Sequence, residues 1–117
     1  MADIILQELN LTRGDTGFFS FPRKDAEGNL ITTAPREMYF TIRLGWNAPT
    51  VIVQKTLADM TFGEDNHWHV VIEPEDTETL AYHTYVWDVE VKDGYTKTIA
   101  KGILNLTEEA TWHDMSN

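Results

Sequence analysis

The stretch Tyr85-Val86-Trp87-Asp88-Val89-Glu90-Val91, followed by Lys92-Asp93-Gly94, decides the fold class. Residues two apart on an extended chain share a face, so Tyr85, Trp87, Val89 and Val91 line one side, and Val86, Asp88 and Glu90 the other. One apolar and one mixed side is the pattern of an antiparallel strand with a core on one face and water on the other. Asp93-Gly94 then predicts a type I′ hairpin, in which both central residues take positive φ, leading into an antiparallel strand over residues 97–106. The same alternation recurs in residues 38–44, where Met38, Phe40, Ile42 and Leu44 oppose Tyr39, Thr41 and Arg43.

Outward from these two runs, residues 4–11, 18–21, 51–56 and 67–72 read as further strands. Turn chemistry separates them: Arg13-Gly14-Asp15, Lys24-Asp25-Ala26-Glu27-Gly28-Asn29 and Gly63-Glu64-Asp65-Asn66. Residues 73–80 break the pattern. Glu73-Pro74-Glu75-Asp76-Thr77 places a proline and acids where the start of a short helix favours them, and predicts one helical turn before the sixth strand. Seven short antiparallel strands in about a hundred residues are the count of an all-β, immunoglobulin-like sandwich. Residues 1–107 are expected to form that sandwich and 108–117 a C-terminal tail.

Composition narrows the function. The 117 residues carry 19 Asp and Glu against 9 Lys and Arg, a net charge of −10. Phosphate backbones and anionic membrane surfaces are bound by neutralising them with cations, so neither nucleic acid nor membrane is an expected partner. With 42% hydrophobic residues the chain supports one packed core of about two-thirds of its surface. Cysteine is absent, which removes disulfides, thiolate metal sites and Cys nucleophiles, and fits folding in a reducing cytoplasm. The Met1-Ala2-Asp3-Ile4 start lacks a basic and then apolar leader.

The inventory for catalysis is thin. The serines, Ser20 and Ser116, stand outside any nucleophile elbow, and neither Arg13-Gly14-Asp15 nor Leu44-Gly45-Trp46 has phosphate-loop spacing. No catalytic residue and no cofactor is expected. His67-Trp68-His69 is the one metal candidate: on a strand the two imidazoles share a face, and a third ligand from a neighbouring strand would complete a Zn²⁺ or Cu²⁺ site. The simpler expectation turns Trp68, Val70 and Ile72 to the core and His67, His69 and Val71 to solvent. Trp68 and Trp87 fall on core registers. Trp46, in Gly45-Trp46-Asn47-Ala48-Pro49, together with Tyr95 and Trp112, is left as a candidate for protein interfaces or for stacking on sugar.

The order of segments carries a resemblance. Leu11-Thr12-Arg13-Gly14-Asp15-Thr16, then Asp25-Ala26-Glu27-Gly28-Asn29-Leu30-Ile31, then Met38-Tyr39-Phe40-Thr41-Ile42-Arg43, resembles the N-terminal immunoglobulin-like domain of tailed-bacteriophage baseplate upper proteins and related phage tail proteins. Thr84-Tyr85-Val86-Trp87-Asp88-Val89-Glu90-Val91 is similar to that family's aromatic strand, and Thr98-Ile99-Ala100-Lys101-Gly102-Ile103-Leu104-Asn105-Leu106 to its closing strand with an internal glycine. The resemblance implies a non-enzymatic structural protein of a phage or prophage tail or baseplate, made in the bacterial host cytoplasm and located in the virion. It implies contacts with other tail or baseplate proteins and possible homo-oligomers, with Gly14 and Gly102 as backbone devices. The alternative is a carbohydrate-binding module for host recognition. Pro74-Glu75-Asp76-Thr77 also echoes the corner of antibody-type domains, with Leu80 in the place of the corner tyrosine.

Overall fold

A computed structural model describes residues 5–108. Two sheets enclose one core. The larger carries β1 (Ile5–Leu6) and β2 (Leu9–Thr12) on β9 (Thr96–Thr107), followed in order by β8 (His83–Lys92), β4 (Glu37–Arg43) and β5 (Val51–Thr56). The smaller runs β3 (Gly17–Phe21), β7 (Trp68–Ile72), β6 (Thr61–Phe62). A 3₁₀ turn (Leu57–Asp59) joins β5 to β6, and α1 (Pro74–Thr77) joins β7 to β8. The chain passes from one sheet to the other between β2 and β3, β3 and β4, β5 and β6, and β7 and β8, in the manner of an immunoglobulin-like sandwich.

The seven expected strands are all present, and the helical turn stands before the sixth of them. Two further segments arise from details that alternation does not register. The first strand breaks into β1 and β2, both parallel to β9, and β6 is two residues long. Three local expectations are corrected. Leu44 lies outside β4 and is exposed, because the register shifts at Ile42/Arg43 and the Arg43 guanidinium donates to the carbonyls of Ala48 and Pro49, closing the next turn. The β8–β9 hairpin is not type I′: only Gly94 takes positive φ (80°), within a three-residue loop closed by the Lys92–Thr96 pair. Leu80 does not mark the missing corner tyrosine either. Tyr85, at the start of β8, donates its hydroxyl to the carbonyl of Ala81 at 2.8 Å and is itself the corner tyrosine. Its burial raises the phenol above its ordinary pKa.

The core follows the predicted faces. Met38, Phe40 and Ile42 of β4 meet Tyr85, Trp87, Val89 and Val91 of β8, and across the interior Phe21, Trp68, Val70 and Ile72. At its centre the Phe40 ring lies 5.8 Å from Phe19 and 5.7 Å from Trp87, centroid to centroid. Trp87 stands two residues after the corner tyrosine, where antibody domains place the second cysteine of their inter-sheet disulfide. A chain without cysteine therefore joins its sheets there by tilted aromatic contacts, Trp87 to Phe40 within the larger sheet and Phe40 to Phe19 of the smaller, through burial and ring–ring attraction rather than a covalent bond.

The corner after α1 is held from a distance in sequence. Thr77, fully buried, accepts a hydrogen bond from the Gly14 amide at 3.1 Å, and Gly14 takes φ 85° to present it. The Arg13 guanidinium donates to the Leu80 carbonyl at 3.3 Å and lies over the Tyr82 ring. Lys55 and Asp76, 2.7 Å apart, tie β5 to the same corner. The long β3–β4 connection is pinned in a similar way by the buried Arg23, which donates to the Thr33 carbonyl at 2.7 Å and pairs with Asp93 at 3.7 Å.

Candidate functional site

The widest surface these elements expose is the outer face of the larger sheet. Strand register sets its rows. Glu37 pairs with Lys92, Tyr39 with Glu90, and Thr41 with Asp88, which in turn pairs with Lys101 and, beyond it, Leu6. Arg43 pairs with Val86, which pairs with Ile103. The first rows line a polar hollow of about 330 Å³, walled by Tyr39, Thr41, Arg43, Gln54, Asp88 and Glu90. Its groups are largely satisfied by one another: Gln54 donates to the Thr41 hydroxyl at 3.2 Å, Tyr39 to Glu37, and the Lys92 ammonium lies 6.0 Å from the Tyr39 ring.

At the other end of this face the turn after β4 brings Trp46 against β9. The Lys101 ammonium stands 5.8 Å from its ring, and a second, apolar hollow of about 330 Å³ opens between Trp46, Leu6, Ile103 and the backbone of Gly102. Trp46 is 56% exposed and Leu6 73%, with Leu44 beside Trp46 in sequence also open to solvent. A cation on the Trp46 ring occupies one of the surfaces on which a sugar would stack, whereas an exposed indole rimmed by aliphatic side chains is the composition of a protein-contact centre.

Asp88 is the electrostatic anomaly of the face. Desolvation on the sheet raises its carboxyl above the ordinary range, and Glu90 adds to the rise, while Arg43 and Lys101 oppose it. A raised acid holds its proton more tightly in the folded than in the unfolded chain. The cost to stability is therefore absent in acid, below the ordinary carboxylate pKa, and grows as pH rises through the folded value. Asp88→Asn is expected to raise the thermal midpoint at pH 7 by a few degrees, about 0.5 to 1 kcal/mol at most on a half-open site, and to leave it unchanged near pH 3. Melting curves at the two pH values check this, and a midpoint lowered at pH 7 would mean that Arg43 and Lys101 outweigh desolvation.

The other candidates are placed as follows. Tyr95 is exposed in the β8–β9 hairpin, and because β4 and β8 are antiparallel that hairpin lies at the end of the sandwich away from Trp46. The fold does not bring the two together. Trp112 lies outside the described residues. His67 and His69 do project from the outer side of the smaller sheet, with Trp68, Val70 and Ile72 buried beneath. Their partners differ, however: His69 Nε2 sits 2.9 Å from Asp65 Oδ1, and His67 Nδ1 3.3 Å from the Ser20 hydroxyl. The contact with His69 and the His67 amide hold the Asp65 carboxyl below its usual pKa. This aspartate shapes the β6–β7 turn, in which Asn66 takes φ 62°. Among the described residues no group of three or more His, Asp or Glu is arranged to hold a metal, and no helix is long and apolar enough to cross a membrane. The sheet face was missed as a unit by sequence reading, although its alternating positions were all visible; what was lacking was strand order.

Fold and face together define an immunoglobulin-like sandwich whose larger sheet has no further strand or helix on its outer side, although Thr41 and Val86 there are buried, and whose sheets end in edge strands at β5 and β6. No protein-family description and no curated protein matches the chain. Among solved structures it is similar to the extracellular domain of the voltage-gated sodium channel beta4 subunit, described as forming parallel homodimers that explain its role in cell–cell adhesion. The two share 10% identity at a TM-score of 0.47, over 93% of this chain and 97% of that one. A likeness of that size bears on neither function nor partners.

Proposed function

We propose that this chain is a non-enzymatic structural protein of a phage or prophage tail or baseplate, made in the host cytoplasm and built into the virion as an assembly or attachment module. The observation that carries the reading is the outer face of the larger sheet. It is broad, ends in exposed Trp46, Leu6 and Leu44, and offers shallow hollows rather than a recess gathering nucleophile, acid and base. Such a surface is suited to binding protein by area. The open edges of β5 and β6 add backbone donors and acceptors on which another subunit's strand can pair. The segment order set out above supplies the phage assignment, and other tail or baseplate proteins are the partners it implies.

Particles purified from a strain carrying the gene are expected to contain the chain at a fixed ratio to the major tail subunits, read by quantitative mass spectrometry. Particles that lack the chain and still adsorb and infect normally would remove the tail assignment.

A further inference from the structure

We propose that two copies of this chain pair through the outer faces of their larger sheets, about a two-fold axis; this deepens the assembly reading and rests on it. The reason is the distribution of charge. Over the whole chain acids outnumber bases 19 to 9, so two copies repel over most possible contacts. The outer face is the exception. Its four carboxylates, Glu8, Glu37, Asp88 and Glu90, are set among three bases, Lys92, Lys101 and Arg43, so the face is close to neutral. Among the described residues most of the other acids lie off this face, and Glu8, at its β2 margin, accepts a hydrogen bond from the Asn105 amide at 2.7 Å.

A face that carries both signs can meet its own copy across a two-fold axis with the acids of one against the bases of the other. Its size is adequate. Strands of ten and twelve residues in β8 and β9, in a layer five strands wide, span roughly 700 Å², close to the ~800 Å² per partner of a standard interface. Trp46, Leu6 and Ile103 supply the apolar contact that the charged rows lack. Trp46, 56% exposed, with Lys101 already over its ring, is the residue whose burial adds most.

The test is sedimentation equilibrium of the full chain at pH 7, from about 1 µM to about 1 mM, the span of tight to weak dimers. A monomer–dimer equilibrium is expected. Lys92→Glu with Lys101→Glu, which leaves Arg43 as the one base among the face's acids, is expected to weaken it at least tenfold. Lys24→Glu with Lys97→Glu makes the same change in net charge at residues outside this face, Lys97 standing opposite the inward-facing Val91, and is expected to alter it much less. Trp46→Ser is expected to weaken the dimer with no change in net charge, and far-UV circular dichroism with melting curves confirms that each variant folds. A monomer at every concentration overturns the proposal, as does a dimer indifferent to Trp46→Ser and to the Lys92/Lys101 pair. Either result leaves binding to a different virion protein standing, because that reading is decided separately by the composition of purified particles.

Discussion

Replacing Phe40 by alanine is expected to remove about 3 to 5 kcal/mol of stability, a large part of the roughly 5 to 15 kcal/mol available to a domain of this size. The ring is 1% exposed and stands between Phe19 and Trp87, so its loss deletes both ring–ring contacts and opens a cavity at the point where the two sheets meet. Because no disulfide crosses the core, no covalent link remains to hold the sheets against that loss. The urea midpoint should fall steeply with the slope of the transition preserved, the sign of a stability change without a change in the exposed surface. Phe40→Leu, which keeps most of the volume, should cost less than half as much. Equal costs for the two variants would show that the volume leucine retains contributes nothing and that the ring–ring contacts carry the loss.

Gly102→Ala is expected to be the most damaging small substitution. A Cβ built on Gly102 would lie 1.8 Å from the Gln7 carbonyl oxygen and 3.2 Å from Trp87 Nε1, and backbone cannot step aside as a flexible side chain does. The Gln7 amide donates to the Lys101 carbonyl at 3.1 Å, so the first strand is fastened to β9 at the very place a methyl group would push it away. A loss of about 2 to 3 kcal/mol follows, in the range of overpacked cores. Hydrogen exchange should accelerate through β1 and β2 while β4 and β8 stay protected. Gly45→Ala is the control: nothing lies within 4 Å of its Cβ position, and its midpoint should stay within about 0.5 kcal/mol of the parent. If Gly102→Ala matched that control, the close approach at Gln7 would be refuted.

These two residues mark what the sequence could and could not disclose. Phe40 and the faces of β4 and β8 were legible because a strand's side chains alternate, and a fully apolar face has one place to go. Gly102 was legible only as a glycine inside a strand, a feature carried by resemblance; its collision partner lies 95 positions away, and pairing across that distance leaves no periodic signal. The break between β1 and β2 has the same origin. Leu44 misled because alternation continued past the point where Arg43 turns the chain. The motif points to Leu80 for the corner tyrosine, whereas the bond to Ala81 needs only a hydroxyl four residues downstream, at Tyr85. For the candidate site, exposure of Trp46 and Tyr95 followed from their turn sequences. Their separation to opposite ends depended on strand direction, and the near-neutrality of the sheet face on strand order, neither of which composition contains.

The parallel pairing of β1 and β2 with β9 also decides how the domain would carry a load. Ile5 lies beside Ala100 and Thr12 beside Thr107, so the chain enters along one margin of the sheet and leaves along the neighbouring strand in the same direction. Tension drawn between the two termini runs along these strands in opposite senses and strains their hydrogen bonds together, in shear, rather than peeling them apart one at a time. The same Gly102 notch that seats Gln7 thus lies within the seam that would take the pull.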